Sequence, residues 1–266
     1  ICALYAFTRT ADDISDDETD PQTALAAAKA WRAAFARALT GDFSAPADAP
    51  RSPGLNAAAY GILPAVADTM QRCQIPPLYM HELLTGTEMD ARQKRYEKWA
   101  DTYLYCYRVA SVIGIMTIHV FGFSDARGIA LAERTGIAFQ MTNILRDLAE
   151  DAGRGRIYLP LEDLRAHGVS EAELLAAKDS PAIRQLVRFE AGRAKEYYAA
   201  GVELLPLIAG ESRDALGLLV AIYRRLLGEI ERRGYDVLTR RVTLSKAEKL
   251  RLAAGFAWRK FLGTVS

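Results

Sequence analysis

The segment DTYLYCYRVASVIGIMTIHVFGFSDARGIALAERTGIAFQMTNILRDLAED, residues 101–151, decides the fold class. It lies inside a stretch without proline that runs from Leu78 to Leu159, although six prolines occur between residues 46 and 77. Apolar residues recur in this stretch at three- and four-residue spacing, without the sustained alternation of a half-buried strand. Because an interior proline breaks a helix, such a long proline-free stretch favours long helices. We therefore predict an all-α protein.

The same helical periodicity continues toward both ends of the chain. It predicts helices at approximately residues 1–18, 21–41, 54–74, 77–91, 97–121, 125–152, 181–208, 212–235 and 246–261. The segments 41–54 and 153–180 lack this periodicity, and we expect loops and short helical pieces there. In the second segment, Ser170 is followed three residues later by Glu173, which predicts a capping box. With 266 residues, half of them hydrophobic, residues 1–266 are expected to form a single domain.

The overall charge argues against nucleic-acid binding through bulk charge. The chain has 34 Lys and Arg residues against 33 Asp and Glu residues, which gives a formal net charge of +1. The charges are unevenly placed, because residues 1–20 contain six acids and one base, whereas residues 224–260 contain eleven bases and four acids. The basic region is either a solvated helix face or a surface that meets anionic lipid, and we expect peripheral contact with a membrane.

The cysteines and the longest apolar run indicate the compartment. Cys2, Cys73 and Cys106 are odd in number and widely spaced, so they suggest neither a disulfide framework nor a zinc site and favour the reducing cytoplasm. The run from Val109 to Phe123 has only 15 residues and predicts a buried core helix, not a membrane span. The sequence begins at Ile1 within a helical pattern, and we expect a further helix before it.

The first acidic motif is YAFTRTADDISDD, residues 5–17. Asp12 and Asp16 are four residues apart, as are Asp13 and Asp17, so each pair lies on one face of a helix. Like charges at this spacing destabilise a helix by about 0.2–0.5 kcal/mol per pair, which calls for a compensating cation. Mg²⁺ suits this role, because it takes oxygen ligands and is commonly shared between carboxylates and a substrate phosphate. The alternative is a solvated acidic helix end; an EF-hand loop would need a glycine that the motif lacks.

The second acidic motif is FQMTNILRDLAEDAGRGRIYLP, residues 139–160. Asn143, Asp147 and Asp151 follow at four-residue steps and form one polar stripe with apolar flanks, which indicates a face directed at an interior cavity. Three arginines add positive charge suited to a diphosphate: Arg146, Arg154 and Arg156. Alone, the stripe could be an exposed network of Arg and Asp. Opposite the first motif in a helical bundle, it would form a two-part site for metal ions and diphosphate.

Residues 101–122 predict a helix that is first aromatic and then apolar. The small residues Ala110, Ser111 and Gly114 on its surface either leave space for a long substrate chain or allow close helix packing. The three histidines are too scattered to suggest a metal site. The sequence contains neither a Rossmann glycine fingerprint nor a Walker P-loop, so binding of NADPH has no support in the sequence.

Taken together, these motifs resemble the squalene/phytoene synthase family nearly from end to end. YAFTRTADDISDD is similar to the family's first Asp-rich motif, YCYRVASVIG to its central tyrosine-rich helix, and QMTNILRDLAEDAGRGRIYLP to its second Asp-rich motif and the flap that follows. The tail AIYRRLLGEIERRGYDVLTRRVTLSKAEKL, residues 221–250, resembles the bacterial branch that makes presqualene diphosphate or squalene. The resemblance implies an isoprenoid-synthase-type helical bundle around a central cavity.

The resemblance also implies roles for individual residues. Those expected to hold two or three Mg²⁺ ions are Asp12, Asp16, Asn143, Asp147 and Asp151. Those expected to contact diphosphate or metal-bound water are Arg9, Asn143, Arg146, Arg156, Tyr158 and Arg241. Those expected to line the cavity are Tyr5, Tyr105, Val109, Ile113, Gly114 and Gln140. The four aspartates together with Tyr158 form the expected catalytic set.

The reaction implied is the head-to-head condensation of two farnesyl diphosphates with release of diphosphate, and it either ends at presqualene diphosphate or continues to squalene. Two alternatives stay open: a phytoene synthase that joins two geranylgeranyl diphosphates, and a non-catalytic family member that acts in binding or assembly. A terpene cyclase or chain elongase would lack the combined NILRD and GRGRIYLP segments. A non-catalytic relative would be expected to have lost acidic ligands, whereas all four aspartates are present.

Overall fold

The computed structural model of the protein describes residues 1–16, 20–46 and 55–261. The α-helices in chain order are α1 (Cys2–Asp16), α2 (Pro21–Ala38), α3 (Ala57–Gly61), α4 (Leu63–Arg72), α5 (Pro77–Arg92), α6 (Trp99–Cys106), α7 (Val112–Phe121), α8 (Arg127–Arg146), α9 (Leu148–Gly153), α10 (Leu161–Ala166), α11 (Glu171–Leu175), α12 (Pro181–Leu204), α13 (Gly210–Arg232) and α14 (Lys246–Phe261). A π-helical turn, Tyr107–Ser111, joins α6 to α7, and a 3-10 turn, Leu205–Leu207, follows α12. The chain is 75% helical, which confirms the all-α fold class.

Three of the predicted helices are interrupted. The helix expected over residues 54–74 is divided at Ile62, because Pro64 in the first turn of α4 lacks the N–H needed to continue α3. The helix expected over residues 97–121 contains the π turn. The helix expected over residues 125–152 is divided at Asp147, whose φ of −100° and ψ of 11° depart from helical values.

The break at Asp147 leaves the spacing of the polar stripe intact. The N–H of Asp147 donates to the carbonyl of Asn143 at 2.9 Å, and the N–H of Asp151 donates to the carbonyl of Asp147 at 2.9 Å. Both hydrogen bonds join residues four apart, as in an α-helix. The three polar side chains of the second motif therefore remain in succession along α8 and α9.

The segment predicted as loop and short pieces, residues 153–180, contains α10 and α11. The capping box at its second helix is confirmed: Ser170 Oγ accepts the N–H of Glu173 at 3.2 Å, and the Glu173 carboxylate accepts the N–H of Ser170 at 2.9 Å. The predicted loop over residues 41–54 is described as far as residue 46, and its remainder lies outside the described residues.

By their internal contacts the residues form two compact units. The first comprises Ile1–Gln93 and Tyr107–Val120. In it α1 packs against α2, α4 and α5. The centre of its core is aromatic, since Phe7 stacks on Trp31 with ring centroids 4.8 Å apart and meets Phe35 edge-on at 5.3 Å. This packing leaves Tyr5, Arg9 and Asp12 on the exposed side of α1.

The second unit comprises Lys94–Cys106 and Phe121–Ser266. Its centre is the packing of α8 against α12, where a side chain on Gly201 would lie 3.4 Å from both Thr135 and Val220. The hydroxyl groups of Thr142 and Tyr198 are 2.7 Å apart in the same interface. These contacts position the end of α8, which carries the second acidic motif. The organisation of residues 1–266 as a single domain stays a prediction.

Among the described residues, one helical stretch, Trp99–Phe121, is long and apolar enough to cross a membrane by length and composition alone. The most apolar 18 residues of this stretch have a mean hydropathy of 1.5, and 39% of them are buried. A core helix of a soluble protein meets the same criterion. The stretch also contains Arg108, which forms an ion pair with Glu82 of α5. These observations are weak evidence for membrane insertion.

Candidate active site

Residues 5–16 of the first acidic motif lie within α1. Leu4, Phe7 and Ile14 bury one side of this helix, while Tyr5, Arg9 and Asp12 lie on its exposed side. Tyr5, Arg9 and Asp12 are spaced by four and three residues, so they share one stripe of the helix surface. The side chain of Asp16, which the spacing places on the same stripe, lies outside the described residues, as does Asp17.

Arg9 contacts the neighbouring carboxylate of this motif. Its Nη2 is 2.6 Å from Oδ1 of Asp13, and its side chain is 61% exposed. The expected contact of Arg9 with a diphosphate or with metal-bound water stays a prediction. Tyr5, expected to line a cavity, has a side chain that is 68% exposed. In the described chain this ring therefore lies at the surface of α1.

The second acidic motif is organised around Asp147. Arg146 binds the Asp147 carboxylate with two nitrogens, Nε to Oδ1 at 2.9 Å and Nη2 to Oδ2. Arg241 approaches from the segment between α13 and α14, with its Nε 2.8 Å and its Nη2 2.7 Å from Oδ1. Burial raises the pKa of Asp147, but the two guanidinium groups outweigh it and hold the pKa below its ordinary value.

Asp151, one turn further along, is in a different electrostatic environment. Burial, and after it the negative charge of Asp147, raises the pKa of Asp151 to about 7 despite the opposing charges of Arg156 and Arg154. The two carboxylates of the stripe thus differ, because Asp147 has bound arginines and Asp151 has none in direct contact among the described ion pairs. A cation beside Asp151 would favour its charged form.

Asn143, the first residue of the stripe, has an oxygen that is ready to accept. Its Nδ2 donates to Oε1 of Gln140 at 3.3 Å, whereas its Oδ1 is buried and has no hydrogen-bond partner within the described part of the chain. A buried acceptor without a donor is unfavourable, and a metal ion or a donor on a ligand would satisfy it. Asn143 Oδ1 and the carboxylates of Asp147 and Asp151 are the hard oxygen ligands that Mg²⁺ prefers. The residues of the second motif therefore fit a magnesium ion.

No group of three or more His, Cys, Asp or Glu side chains arranged to hold a metal ion by themselves occurs in the residues searched. The metal ligands expected from the sequence accordingly stay a prediction.

A cavity of about 360 Å³ lies beside the second motif, within the second unit. Three cationic side chains line it, those of Arg146, Arg241 and Lys249, and Tyr223 adds its phenol. Its remaining lining residues are mostly aliphatic: Ile222, Leu226, Val242, Thr243 and Leu244. Positive charge beside an apolar wall suits an anionic group attached to a hydrocarbon chain.

Two residues of this cavity were missed by the sequence analysis. Tyr223 stacks on Phe139 of α8 with centroids 4.3 Å apart, and Lys249 lies in the first turns of α14. Both occur in the tail segment that carries part of the family resemblance. Neither residue has a spacing pattern in the sequence that marks it as part of a site.

The segment after α9 brings two predicted residues together. The rings of Tyr105 and Tyr158 stack with centroids 4.7 Å apart, and Tyr96 packs against both at 5.2 and 5.8 Å. Thr102 Oγ1 donates to the carbonyl of Tyr158 at 2.9 Å, and Arg156 Nη1 donates to the phenol oxygen of Tyr158 at 3.4 Å. These contacts hold the flap against α6 and place one face of the Tyr105 ring against Tyr158.

The remaining residues expected to line the cavity lie on the π turn and α7. Val109, Ile113 and Gly114 are all half-buried. Val109 belongs to the π turn itself, and π turns inside α-helices occur frequently at functional sites. Gln140 of α8 is half-buried and contacts Asn143.

The chain was compared with known proteins. A family model described as squalene/phytoene synthase matches residues 1–248. Among curated proteins, a phytoene synthase of Arthrospira platensis is 32% identical over 94% of this chain and 80% of its own length, and a 15-cis-phytoene synthase of Synechococcus elongatus is 30% identical over the same shares.

Solved structures show the same relationship. A dehydrosqualene synthase in complex with a ligand matches with a TM-score of 0.78 and 29% identity, covering 98% of this chain and 86% of its own. The squalene synthase HpnC of Alicyclobacillus acidocaldarius matches with a TM-score of 0.75 and 26% identity, covering 88% and 82%. The curated relatives are thus named for one product and the structural neighbours for another.

Proposed function

Because the chain belongs to the squalene/phytoene synthase family, we propose that it is a Mg²⁺-dependent prenyltransferase that condenses two farnesyl diphosphates head to head. The product would be presqualene diphosphate, with release of one diphosphate. Conversion of presqualene diphosphate to squalene would release the second diphosphate and would require a hydride from a reductant such as NADPH. The observation that best supports this proposal is the cation-lined cavity beside Asp147, since it combines a diphosphate-binding charge with an apolar wall. Two of the cationic side chains, those of Arg146 and Arg241, form ion pairs with Asp147 of the second acidic motif.

The proposed metal ligands come from both acidic motifs. Family members use a divalent metal with diphosphate substrates. Here Asp12 and Asp16 of the first motif, and Asn143, Asp147 and Asp151 of the second, would hold Mg²⁺. When bound, the metal would stabilise the negative charge that develops on the leaving diphosphate. The buried Oδ1 of Asn143 and the raised pKa of Asp151 support this assignment for the second motif.

Arginines provide the remaining charge for the diphosphate. Arg146 and Arg241 both donate hydrogen bonds to the carboxylate of Asp147. Each guanidinium group can also bind two oxygens of a phosphate in a bidentate manner. A diphosphate in the cavity would therefore take over part of these hydrogen bonds and expose Asp147 oxygens toward a cation. Arg9, Arg156 and Tyr158 are proposed as further diphosphate contacts.

The proposed reaction begins with heterolysis of the carbon–oxygen bond of one allylic diphosphate, and the diphosphate leaves with the electron pair. The double bond of the second substrate attacks the allylic cation, and loss of one proton closes the cyclopropane ring. Apolar residues exclude water that would capture the cation, and aromatic faces stabilise it by about 0.5–2 kcal/mol each. Tyr5, Tyr105, Val109, Ile113, Gly114 and Gln140 are the proposed lining residues.

A second candidate has its own support. The curated relatives are named phytoene synthases, which favours two geranylgeranyl diphosphates as substrates, whereas the structural neighbours are squalene and dehydrosqualene synthases. Chain length depends on the depth of the cavity, and one misfitting methylene in an apolar pocket changes specificity by about 10- to 200-fold. We favour the C15 substrate on the resemblance of the tail segment.

Product analysis tests both candidates. The purified protein would be incubated with each diphosphate, with Mg²⁺ or with EDTA, and with or without NADPH, and both released diphosphate and extracted lipids would be measured. A C30 product from farnesyl diphosphate supports the proposal, and a C40 product from geranylgeranyl diphosphate alone supports the second candidate. Tight binding of either substrate without any release of diphosphate would indicate a non-catalytic family member.

The setting of the reaction is proposed as the cytoplasm, with peripheral contact to a membrane. The hydrocarbon products are insoluble in water, and the exposed lysines Lys246 and Lys249 of α14 give that helix a basic surface suited to anionic lipid.

A further inference from the structure

A glycine in α5 allows the π turn to approach unusually closely. A Cβ built on Gly86 would lie 2.9 Å from Cγ1 of Val109, 3.0 Å from Cβ of Arg108 and 3.2 Å from the carbonyl carbon of Arg108. The last two atoms belong to the stem and the backbone of Arg108, so they cannot rotate away. Gly is less favourable than Ala inside a helix, and this close contact explains the presence of Gly at position 86 of α5.

Arg108 spans the glycine and is bound on both sides of it. Its Nε is 2.8 Å from Oε2 of Glu82, and its Nη1 is 3.3 Å from Sδ of Met89. Residues 82, 86 and 89 are spaced by four and three, so they lie on one face of α5. Arg108 and Glu82 are largely buried, with side chains 22% and 26% exposed. The π turn therefore bonds to α5 at Glu82 and Met89 and approaches it closely at Gly86, between them.

The position of the π turn determines where the following side chains point. One extra residue within a helical turn rotates everything after it by about 100° relative to what precedes it. Val109 lies within the turn and Ile113 is the second residue after it, so the directions of both side chains depend on how the turn is held. A small displacement of the turn would move both.

We propose that Gly86, together with the Glu82–Arg108 ion pair, is a positioning residue that sets the length of isoprenoid chain the protein accepts. It acts through the π turn, by fixing Val109 and Ile113. The inference rests on the proposed function, in which these two side chains line the isoprenoid cavity. Added volume beside Val109 is expected to disfavour a C20 chain more than a C15 chain, because the longer chain fills more of the cavity.

The test compares Gly86→Ala with Gly192→Ala. Gly192 lies within α12, and a Cβ there would have no atom within 4 Å, so this control adds the same methyl group without a clash. The measurement is kcat/KM for farnesyl diphosphate and for geranylgeranyl diphosphate separately. We expect Gly86→Ala to raise the C15-to-C20 ratio of kcat/KM by roughly tenfold, which is the smallest change that one misfitting methylene group usually causes in an apolar pocket. Gly192→Ala should leave this ratio unchanged.

A second pair of variants replaces glutamate by glutamine, which has nearly the same size. These variants keep the proposal testable if the Gly86→Ala protein does not fold. Glu82→Gln weakens the hold on Arg108, whereas Glu88→Gln weakens an ion pair of the same type on α5, that of Arg32 and Glu88 at 3.0 Å. We expect Glu82→Gln to change the C15-to-C20 ratio of kcat/KM by roughly several-fold, because the π turn would move and displace Val109 and Ile113. Glu88→Gln should leave this ratio unchanged within error.

The possible results distinguish the positioning role of Gly86 and Glu82 from the proposed function of the protein. An unchanged ratio in Glu82→Gln and in folded Gly86→Ala overturns the positioning role, while the proposed function stands. Equal changes in Glu82→Gln and Glu88→Gln also overturn it, because the effect would then be a general loosening of α5. If the unsubstituted protein releases no diphosphate from either substrate, the proposed function falls and the positioning role falls with it.

Discussion

Arg241 reaches Asp147 across 94 residues of sequence, with its Nε 2.8 Å from the carboxylate Oδ1. Arg146 binds the same carboxylate from the adjacent position, so Asp147 lies between two guanidinium groups. The Asp147 carboxylate thereby holds two positive charges at the edge of a cavity whose other lining residues are mostly aliphatic. A diphosphate requires positive charge of this kind.

The first prediction concerns Arg241 itself. Replacing it by Ala should raise KM for the prenyl diphosphate by about 10- to 100-fold, because a hydrogen bond to a charged group contributes roughly 1.5–3 kcal/mol. Steady-state diphosphate release at varied substrate concentration measures the effect. Arg240→Ala is the matched control, since Arg240 is exposed and has no ion pair among the described residues. Equal effects of the two changes would contradict a local role for Arg241.

The second prediction concerns the acidic motifs. Asp147→Ala and Asp12→Ala should each lower the rate of diphosphate release by at least roughly 100-fold, because metal-assisted stabilisation of a leaving group is worth several kcal/mol. Asp179→Ala is the control, as Asp179 forms an exposed ion pair with Arg184 at 2.6 Å. The assignment is wrong if either motif variant turns over at nearly the rate of the unsubstituted protein.

The third prediction concerns pH and a buried acid away from the site. Glu190 is fully buried, and burial, the largest effect, raises its pKa to about 8 although Arg193 Nη1 lies 2.7 Å from its Oε2. The folded state holds the proton more tightly than the unfolded chain. This stabilisation is complete below pH 4.5, the ordinary pKa of Glu, and is lost as pH rises toward 8.

Glu190→Gln should remove that dependence. The amide stays neutral, so the variant should gain stability relative to the unsubstituted protein as pH rises from 5 to 8, by at most about 1.4 kcal/mol per pH unit. Urea unfolding across this range measures the difference. Glu196→Gln on the same helix is exposed and should show no such trend. A difference that does not vary with pH would show that Glu190 is charged in the folded protein.

The fourth prediction separates the two sides of α1. Phe7 is completely buried against Trp31 and Phe35, so Phe7→Ala should lower the free energy of unfolding by about 3–5 kcal/mol. Tyr5→Ala, on the exposed side of the same helix, should change stability by no more than about 0.5 kcal/mol but should reduce turnover. Denaturant unfolding and diphosphate release distinguish the two. A large loss of stability in Tyr5→Ala would place that ring in the core.

The helical content and the family were predictable from local pattern. Residues three and four apart share a face of a helix, so the periodicity along α8 and α12 could be read directly, and the capping box at Ser170 needs only Glu173 three residues away. The interruptions could not be read in this way. The π turn at Tyr107–Ser111 and the non-helical backbone at Asp147 are departures of one residue, which hydrophobic periodicity does not resolve.

The candidate site was predicted in its acidic part and only partly in its cationic part. Asn143, Asp147 and Asp151 were identified because their spacing is local, and the family resemblance supplied Arg241. Tyr223 and Lys249 were missed, since a single tyrosine or lysine has no spacing pattern that marks it. They join the cavity only through the packing of α13 and α14.

The sequence alone therefore determined the helical class, the family and the acidic stripe of the second motif, because each depends on residues a few positions apart. The tertiary structure decided which charges act together. Asp147 and Asp151 look equivalent in the sequence, but packing brings Arg241 to the first and leaves the second buried beside a negative charge, so their pKa values shift in opposite directions. Electrostatic free energies depend on distances in space, and those distances are set only when distant segments pack.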